Sequence, residues 1–322
     1  MFINLEQSII QWRLTIWLSP ASNSPARTLE EIVIRIVTDT DSNIPQALMD
    51  EHRIEVAPIF IHFGEEAVRE HYEITPAQFY QRMAAMDELP KTSQPPVGEF
   101  VSIYERLLAE DPMMTIISLH ISGKVSGTVE SARQAAAMFP KADIRVMDTR
   151  TMSLGQTLMA VEAARMATEG LSADAIMAKM EIMRDRMQVL FALNTLEYLA
   201  KGGRIGKASH LMGTVLDIKP LLTVTREGVI DADGRFRTWK RALVGLKERV
   251  IGQVPSPSER DPDEAFHLGV LHAVNSAEAL PLFDELTEAL EPDVRMIAEV
   301  GPGLGVHVGP GTIGVIWVRC PR

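Results

Sequence analysis

Four short segments of this 322-residue sequence hold the residue types best suited to chemistry: 38–42 (TDTDS), 92–93 (TS), 122–128 (SGKVSGT) and 301–311 (GPGLGVHVGPG). Hydroxyls and backbone N–H groups at helix starts bind an anion without bringing in a positive charge. Ser126 is placed to cap a helix, and Gly127 lets the backbone come close to a ligand. His307 falls between two Gly-Pro-Gly turns, a mobile setting from which one hydrogen bond can reach an oxyanion. Each feature also has a plainer reading, with Ser122 and Ser126 as caps, Thr92 and Ser93 as turn formers and the glycines as tight turns.

The elements that position these segments alternate between strand and helix. Residues 32–37 are an apolar, β-branched run and predict a buried strand that ends in the first hydroxyl cluster. A strand is expected over 54–63, with Pro58 marking an edge or bulge. Thr75-Pro76 opens a helix, 90–96 reads as a polar loop, and a helix follows over 99–109. Strand 114–119, the Ser/Gly loop, a helix to about 138 and strand 144–147 make a βαβ unit, hence a parallel sheet. Helices are expected over 153–168 and 172–187. Beyond them come a strand (189–193), a short helix stopped by Gly202-Gly203, and a hairpin (218–231). Strand 268–272, helix 276–290 and strand 312–318 close the chain. The fold class is α/β with two domains: an N-terminal Rossmann-like parallel sheet with flanking helices over 31–187, and a C-terminal α+β domain over 188–322. In a parallel sheet, ligands gather beyond the carboxyl ends of strands, where the first and third hydroxyl segments lie. Residues 1–30 read as a poorly ordered extension; 9–18 is too short and too interrupted by Arg13 to span a bilayer.

Composition narrows the function. With 32 Lys and Arg against 43 Asp and Glu, the net charge is −11, which disfavours general binding to nucleic acid or anionic membrane and allows at most transient contact with a membrane surface. The single cysteine, Cys320, excludes an intrachain disulfide and fits a reducing cytoplasm. The 8 histidines are scattered, with no H-E-x-x-H, so a metal site is not expected and no cofactor is indicated.

Seven stretches carry a resemblance: 38–45 (TDTDSNIP), 56–66, 91–96 (KTSQPP), 121–132 (ISGKVSGTVESA), 196–209 (LEYLAKGGRIGKAS), 218–230 and 305–311 (GVHVGPG). Each is weak alone; in this order they are specific. From about residue 36 to 318 the sequence resembles the DegV family, fatty-acid-binding proteins of bacteria. The resemblance implies an apolar tunnel between two domains holding a long-chain fatty acid such as palmitate, stearate or oleate. It implies that Thr92, with Ser93, and Ser122 hydrogen-bond the carboxylate, with His307 nearby. It also implies that Arg204 lies at the mouth, in contact with a fatty acid kinase whose acyl phosphate product passes to an acyltransferase. The chain departs from the family pattern at Gly123, where a second serine is usual, and at Thr40 and Val125. Leu193, Leu196, Met212, Leu216, Ile218 and Leu222 are candidates to line the tunnel, and burying ~16 carbons at about 0.8 kcal/mol per CH₂ would supply most of the affinity.

The alternative is a serine-dependent acyl ester or thioester hydrolase with Ser122 or Ser126 as nucleophile and His307 as base. Residues 123–127 (GKVSG) lack the G-x-S-x-G elbow, and Asp39 or Asp148 would have to orient the histidine. A nucleotide site at 201–209 (KGGRIGKAS) matches a phosphate loop only faintly.

Overall fold

The computed structural model describes residues 33–212 and 218–322, so the expected extension 1–30 and Leu216 lie outside the described residues. The opening apolar run forms β1 (Ile34–Asp39), followed by a 3-10 turn (Thr40–Ser42) and α1 (Gln46–His52). The stretch expected as one strand over 54–63 is two, β2 (Glu55–Ala57) and β3 (Phe60–Phe63). Pro58 falls between them and lacks the N–H that a continuous ladder needs. The two pieces join different sheets: β2 pairs with β1, and β3 forms a hairpin with β4 (Glu66–Arg69). Helix α2 (Pro76–Ala84) starts at a capping box between Thr75 and Gln78. The expected polar loop 90–96 contains β5 (Lys91–Ser93), which pairs with β3 and sets Thr92 opposite Ile61. Helix α3 (Val97–Glu110), β6 (Thr115–His120), α4 (Thr128–Ala137) and β7 (Asp143–Asp148) then complete a parallel sheet of order β2-β1-β6-β7.

Two helices connect this sheet to the next, α5 (Leu154–Thr168) and α6 (Ala173–Arg186), the latter capped by Ser172. The second half contributes β8 (Gln188–Ala192), α7 (Glu197–Lys201), the hairpin β9 (Lys219–Val224) and β10 (Ile230–Phe236), and α8 (Trp239–Gln253). It ends with β11 (Glu264–His272), α9 (Ser276–Leu290), β12 (Val294–Glu299), α10 (Pro302–Val308) and β13 (Ile313–Pro321). Its sheet has the order β10-β9-β8-β13-β11-β12 and is antiparallel except for the β11/β12 pair. Helix α10 corrects an expectation. The 301–311 segment read as glycine turns around a mobile histidine, yet Pro302 at the first helical position starts a helix that buries residues 302–306.

The layers run α3/α4, parallel sheet, α5/α6, mixed sheet, α8/α9. Strand alternation fixes which side chain joins which layer. In β8, Val189 and Phe191 face α5 and α6, while Leu190 and Ala192 face α8 and α9. Helix α5 packs on β1 and β6 on one side and on β11 and β13 on the other. One apolar cluster therefore runs from Ile36 in the first sheet to Cys320 in the second.

A helix buried on both sides must satisfy any polar group it carries. Gln156 does so at Nε2, which donates to Thr38 Oγ1 (2.7 Å), Asp39 Oδ2 (2.9 Å) and the Leu119 carbonyl (3.2 Å), while its Oε1 has no partner among the described residues. Gln156→Ala should lower stability by about 2–4 kcal/mol, because it leaves a buried carboxylate short of a donor and opens a void. Urea unfolding checks this, and an unchanged midpoint would show that α5 is not held this way.

Candidate functional site

The polar ends of both halves meet beyond the carboxyl ends of β1 and β6. Asp41 follows β1, Ile121, Val125 and Ser126 follow β6, and Thr92, Ser93 and Gln94 arrive on and after β5. The second half adds Phe191, Leu199, Arg204, Ile230 and, from α10, Gly303, Leu304, His307 and Val308. Together these residues line a cavity partly open to solvent, with ≈ 590 Å³ of space including its mouth. A second cavity of ≈ 340 Å³ shares Met152, Phe191, Leu304 and Val308 with the first and extends toward Val189, Leu271, Val300 and Ile316. The two cavities adjoin through these shared residues, the first carrying the polar groups and the second lined almost wholly by apolar side chains. The candidate lining residues lie elsewhere. Leu193, Leu196 and Leu222 are core, Met212 is half exposed, and Ile218 packs against the core from its edge. Strand parity is the reason on β8, where Phe191 and Val189 take the cavity-facing positions.

The sequence-predicted site residues separate into two groups. Thr92, Ser93, Ser126, Arg204 and His307 all line the polar end. Thr92 Oγ1 and His307 Nε2 are 2.9 Å apart, a contact between residues 215 positions apart in sequence. His307 Nδ1 is buried and has no partner. Burial, with the Arg204 guanidinium adding to it, pushes the His307 pKa down to about 4, so the ring is neutral at physiological pH. Ser93 Oγ meets His62 Nε2 at 2.8 Å on the rim, and Ser126 Oγ pairs with Thr128 Oγ1 at 2.8 Å. Arg204 donates to the carbonyls of Val125 (3.3 Å) and Gly202 (2.8 Å) and is exposed.

Ser122 and Gly127 sit behind the wall. Ser122 is fully buried and does not line the cavity; its hydroxyl donates to the Gly228 carbonyl at 2.8 Å. Gly228 has a φ of +82°, and a Cβ there would overlap Ser122 Oγ, so this hairpin turn can meet the first half only as glycine. Gly127, not Ser126, occupies the N-cap position of α4 and carries no side-chain cap. A Cβ on it would overlap the Gln94 side chain, whose Nε2 donates to Ser131 Oγ at 2.9 Å, so the close approach at Gly127 serves Gln94. A side chain at Gly123 would meet Asp148 Oδ2 at 2.9 Å.

Neither Asp39 nor Asp148 reaches His307. Asp39 Oδ2 accepts from His120 Nδ1 (2.9 Å) and the Ile121 N–H (3.2 Å), and Asp148 Oδ1 accepts from the Arg150 N–H (2.9 Å). A serine–histidine–aspartate sequence does exist, Ser118 Oγ to His120 Nε2 at 2.6 Å and on to Asp39. All three are fully buried, Tyr104 holds Ser118 at 2.8 Å, and Ser118 and His120 line neither cavity. Among the described residues there is no cluster of three or more His, Cys, Asp or Glu suited to a metal, and no helix long and apolar enough to cross a membrane. Asp41 and Gln94 line the polar end but were not among the sequence candidates. The signal for Asp41 was its place just after a parallel strand.

The His307 ring should stay neutral through mild acid, with a midpoint near pH 4 by NMR titration of the ring nitrogens. In the unfolded chain this ring takes up its proton near pH 6.5, so acidification from there towards 4 draws protons to the unfolded state and costs stability. A midpoint near 6.5 in the folded protein would show that the ring is solvated.

Comparison with known proteins follows the same outline. A family model described as an uncharacterised protein of the DegV family matches residues 33–319. Protein DegV of Bacillus subtilis is 31% identical over 288 residues, covering 88% of this chain and 98% of that protein. A crystal structure of a DegV family protein from Thermus thermophilus, described by its fatty acid binding, is 34% identical with a TM-score of 0.81, over 89% of this chain and 99% of that one. A stearic acid-binding protein of Eubacterium ventriosum is 25% identical with a TM-score of 0.79, over 89% of this chain and 98% of that one. With the matched region spanning nearly all of the described residues, the chain belongs to the DegV family.

Proposed function

We propose that the protein binds a long-chain fatty acid in the two adjoining cavities, with the carboxylate at the polar end, and presents that carboxylate to a kinase. The observation that carries this reading is the adjacency of a hydroxyl- and histidine-lined cavity and an apolar one that share Met152, Phe191, Leu304 and Val308. Fatty acid binding by the Thermus and Eubacterium relatives supports it. Burial of the acyl chain provides most of the affinity, at about 0.8 kcal/mol per CH₂. The polar end then has to satisfy a carboxylate that would otherwise be buried unpaired.

Thr92 is the central donor in this reading. A neutral imidazole has one N–H, and if it lies on Nε2 it donates to Thr92 Oγ1, leaving the threonine O–H free to point at the ligand. Ser126 and the Ser93 hydroxyl at the rim extend the donor set. Ser122 and Gly127 act indirectly, Ser122 by tying the loop to Gly228 and Gly127 by seating Gln94. Arg204, exposed beside this end, offers a kinase partner a fixed cation at the mouth. An acyl phosphate made there would then pass to an acyltransferase.

The test is extraction of the purified protein under denaturing conditions, with mass spectrometry for a stoichiometric free acid, followed by titration with palmitate and oleate. Thr92→Ala should weaken binding by roughly 10- to 100-fold, the loss of one hydrogen bond to a charged group. Protein that arrives empty and takes up neither acid would reject the proposal.

A further inference from the structure

The polar end holds one group that the head-group reading leaves unused. Asp41 lines the cavity at only 5% exposure, yet no hydrogen-bond donor from the described residues reaches its carboxylate. Its two acidic neighbours each accept hydrogen bonds, although Asp39 Oδ1 has no partner among the described residues. Asp39 Oδ2 accepts from His120, the Ile121 N–H and Gln156. Glu70, also buried, accepts from Thr40 Oγ1 at 2.6 Å and from the Gly303 N–H at 3.1 Å. A Cβ on Gly303 would strike both Asp41 Oδ1 and Glu70 Oε2, so the two carboxyls converge on the same strip of α10. The Asp41 backbone is anchored, its carbonyl accepting from the Ser153 N–H at 3.0 Å and holding the 3-10 turn against the start of α5.

Buried carboxyls that converge in this way, in a site about to receive the carboxylate of a ligand, disfavour charge on Asp41 and Glu70. The charged groups acting on Asp41 come from every side: Asp39 from β1, Glu70 from the segment after β4, and Arg204 from the loop after α7 as the cation. Both burial and the two acids favour the neutral form of Asp41, and Arg204 opposes them. His307, from α10, is neutral and adds no charge.

We infer that Asp41 is a head-group residue whose carboxyl keeps its proton and donates it in a hydrogen bond to the bound fatty acid, so that the two acids share one proton. The inference rests on the fatty-acid reading above and adds a specificity element to it. The cavity accepts an anionic head because Asp41 is a donor there, and ionising Asp41 would both remove that donor and place a second negative charge beside the ligand.

Titration of the intact protein with cis-parinaric acid, a fluorescent C18 acid, between about pH 6 and about pH 9 tests this. Wild-type affinity should fall by up to roughly tenfold per pH unit once Asp41 ionises. Asp41→Asn keeps a donor that does not titrate, so its affinity should stay flat over the same range. Asp41→Ala should bind roughly tenfold or more weakly than Asp41→Asn at the acid end. On the wild type itself, the carboxyl resonance of bound [1-¹³C]palmitate should shift with the same midpoint as the affinity. A fall retained in Asp41→Asn would assign the titration to Glu70, whose pKa burial raises to about 7, and would overturn the inference. A wild type that binds equally at all pH values would also overturn it while leaving fatty acid binding intact. A wild type that binds no acid at any pH removes the fatty-acid reading itself, and the inference with it.

Discussion

Helix α5 is the constraint on which the rest of the structure depends. It is the wall shared by two sheets, buried on the faces that touch β1 and β6 and on those that touch β11 and β13. Such a helix favours small, apolar or hydrogen-bonded residues. Its Ala160, Ala163 and Ala164 give the sheets close approach, Gln156 Nε2 ties it to Thr38 and Asp39, Thr157 donates to the Ser42 carbonyl, and the buried Glu162 pairs with Arg165 and Lys179. Because α5 fills the space between the sheets along most of its length, the two cavities described lie beyond its N-terminus. Met152 and Ser153 stand there at the edge of the cavities. The position of the cavity is thus a by-product of where the shared wall stops.

That end of α5 is also where backbone strain collects. Ser153 is held at a φ of +51°, a region costly for a residue with a Cβ, and two bonds keep it there: its N–H to the Asp41 carbonyl and its hydroxyl to Asn43 Oδ1 at 2.8 Å. The turn after β1 and the turn before α5 therefore brace each other. The same turn carries Thr40, which supports both Glu70 and the Ile59 N–H, so the segment between β2 and β3 is fixed by it as well. A polar cavity end built in this way is stiff on the side of the first half. On the other side it is closed by α10, whose contacts with α2, α7, β3 and β5 place it across both halves.

Buried polarity is concentrated in one run of contacts. Tyr104, Ser118, His120 and Asp39 are hydrogen-bonded in sequence inside the parallel sheet, and Asp39 Oδ2 also accepts from the N–H of Ile121 at the cavity wall. Each residue of the run has a partner within the fold, although Asp39 Oδ1 itself has none among the described residues. At the cavity the same demand is left open, at His307 Nδ1 and at the Asp41 carboxyl. Unpaired groups that line a cavity, beside side chains such as Ile59, Leu304 and Phe191, are the ones a ligand can reach.

Much of this was legible in the sequence. The β-branched runs, the Thr75-Pro76 and Ser172 helix starts and the Gly202-Gly203 stop are local signals, set by backbone sterics and by hydrogen bonds within a few residues, and the structure has elements at each of them. The hydroxyl segments 38–42 and 122–128 were also expected beyond the carboxyl ends of parallel strands, and they follow β1 and β6 there, because strand direction alone places them. What the sequence could not decide is which side chains meet across long separations. Residues 90–96 became a strand because β3 offered an edge to pair with, and 301–311 became a helix because α2, α7 and the Glu70 carboxylate surround it. Ser122 and Thr92 look alike as hydroxyls beside a turn. Only the arrival of Gly228 at one and His307 at the other, each more than 100 residues away, makes the first a tie between halves and the second a group open to the cavity. Local propensity chooses elements, whereas the free valence of a side chain is known only once every neighbour that could satisfy it has been placed.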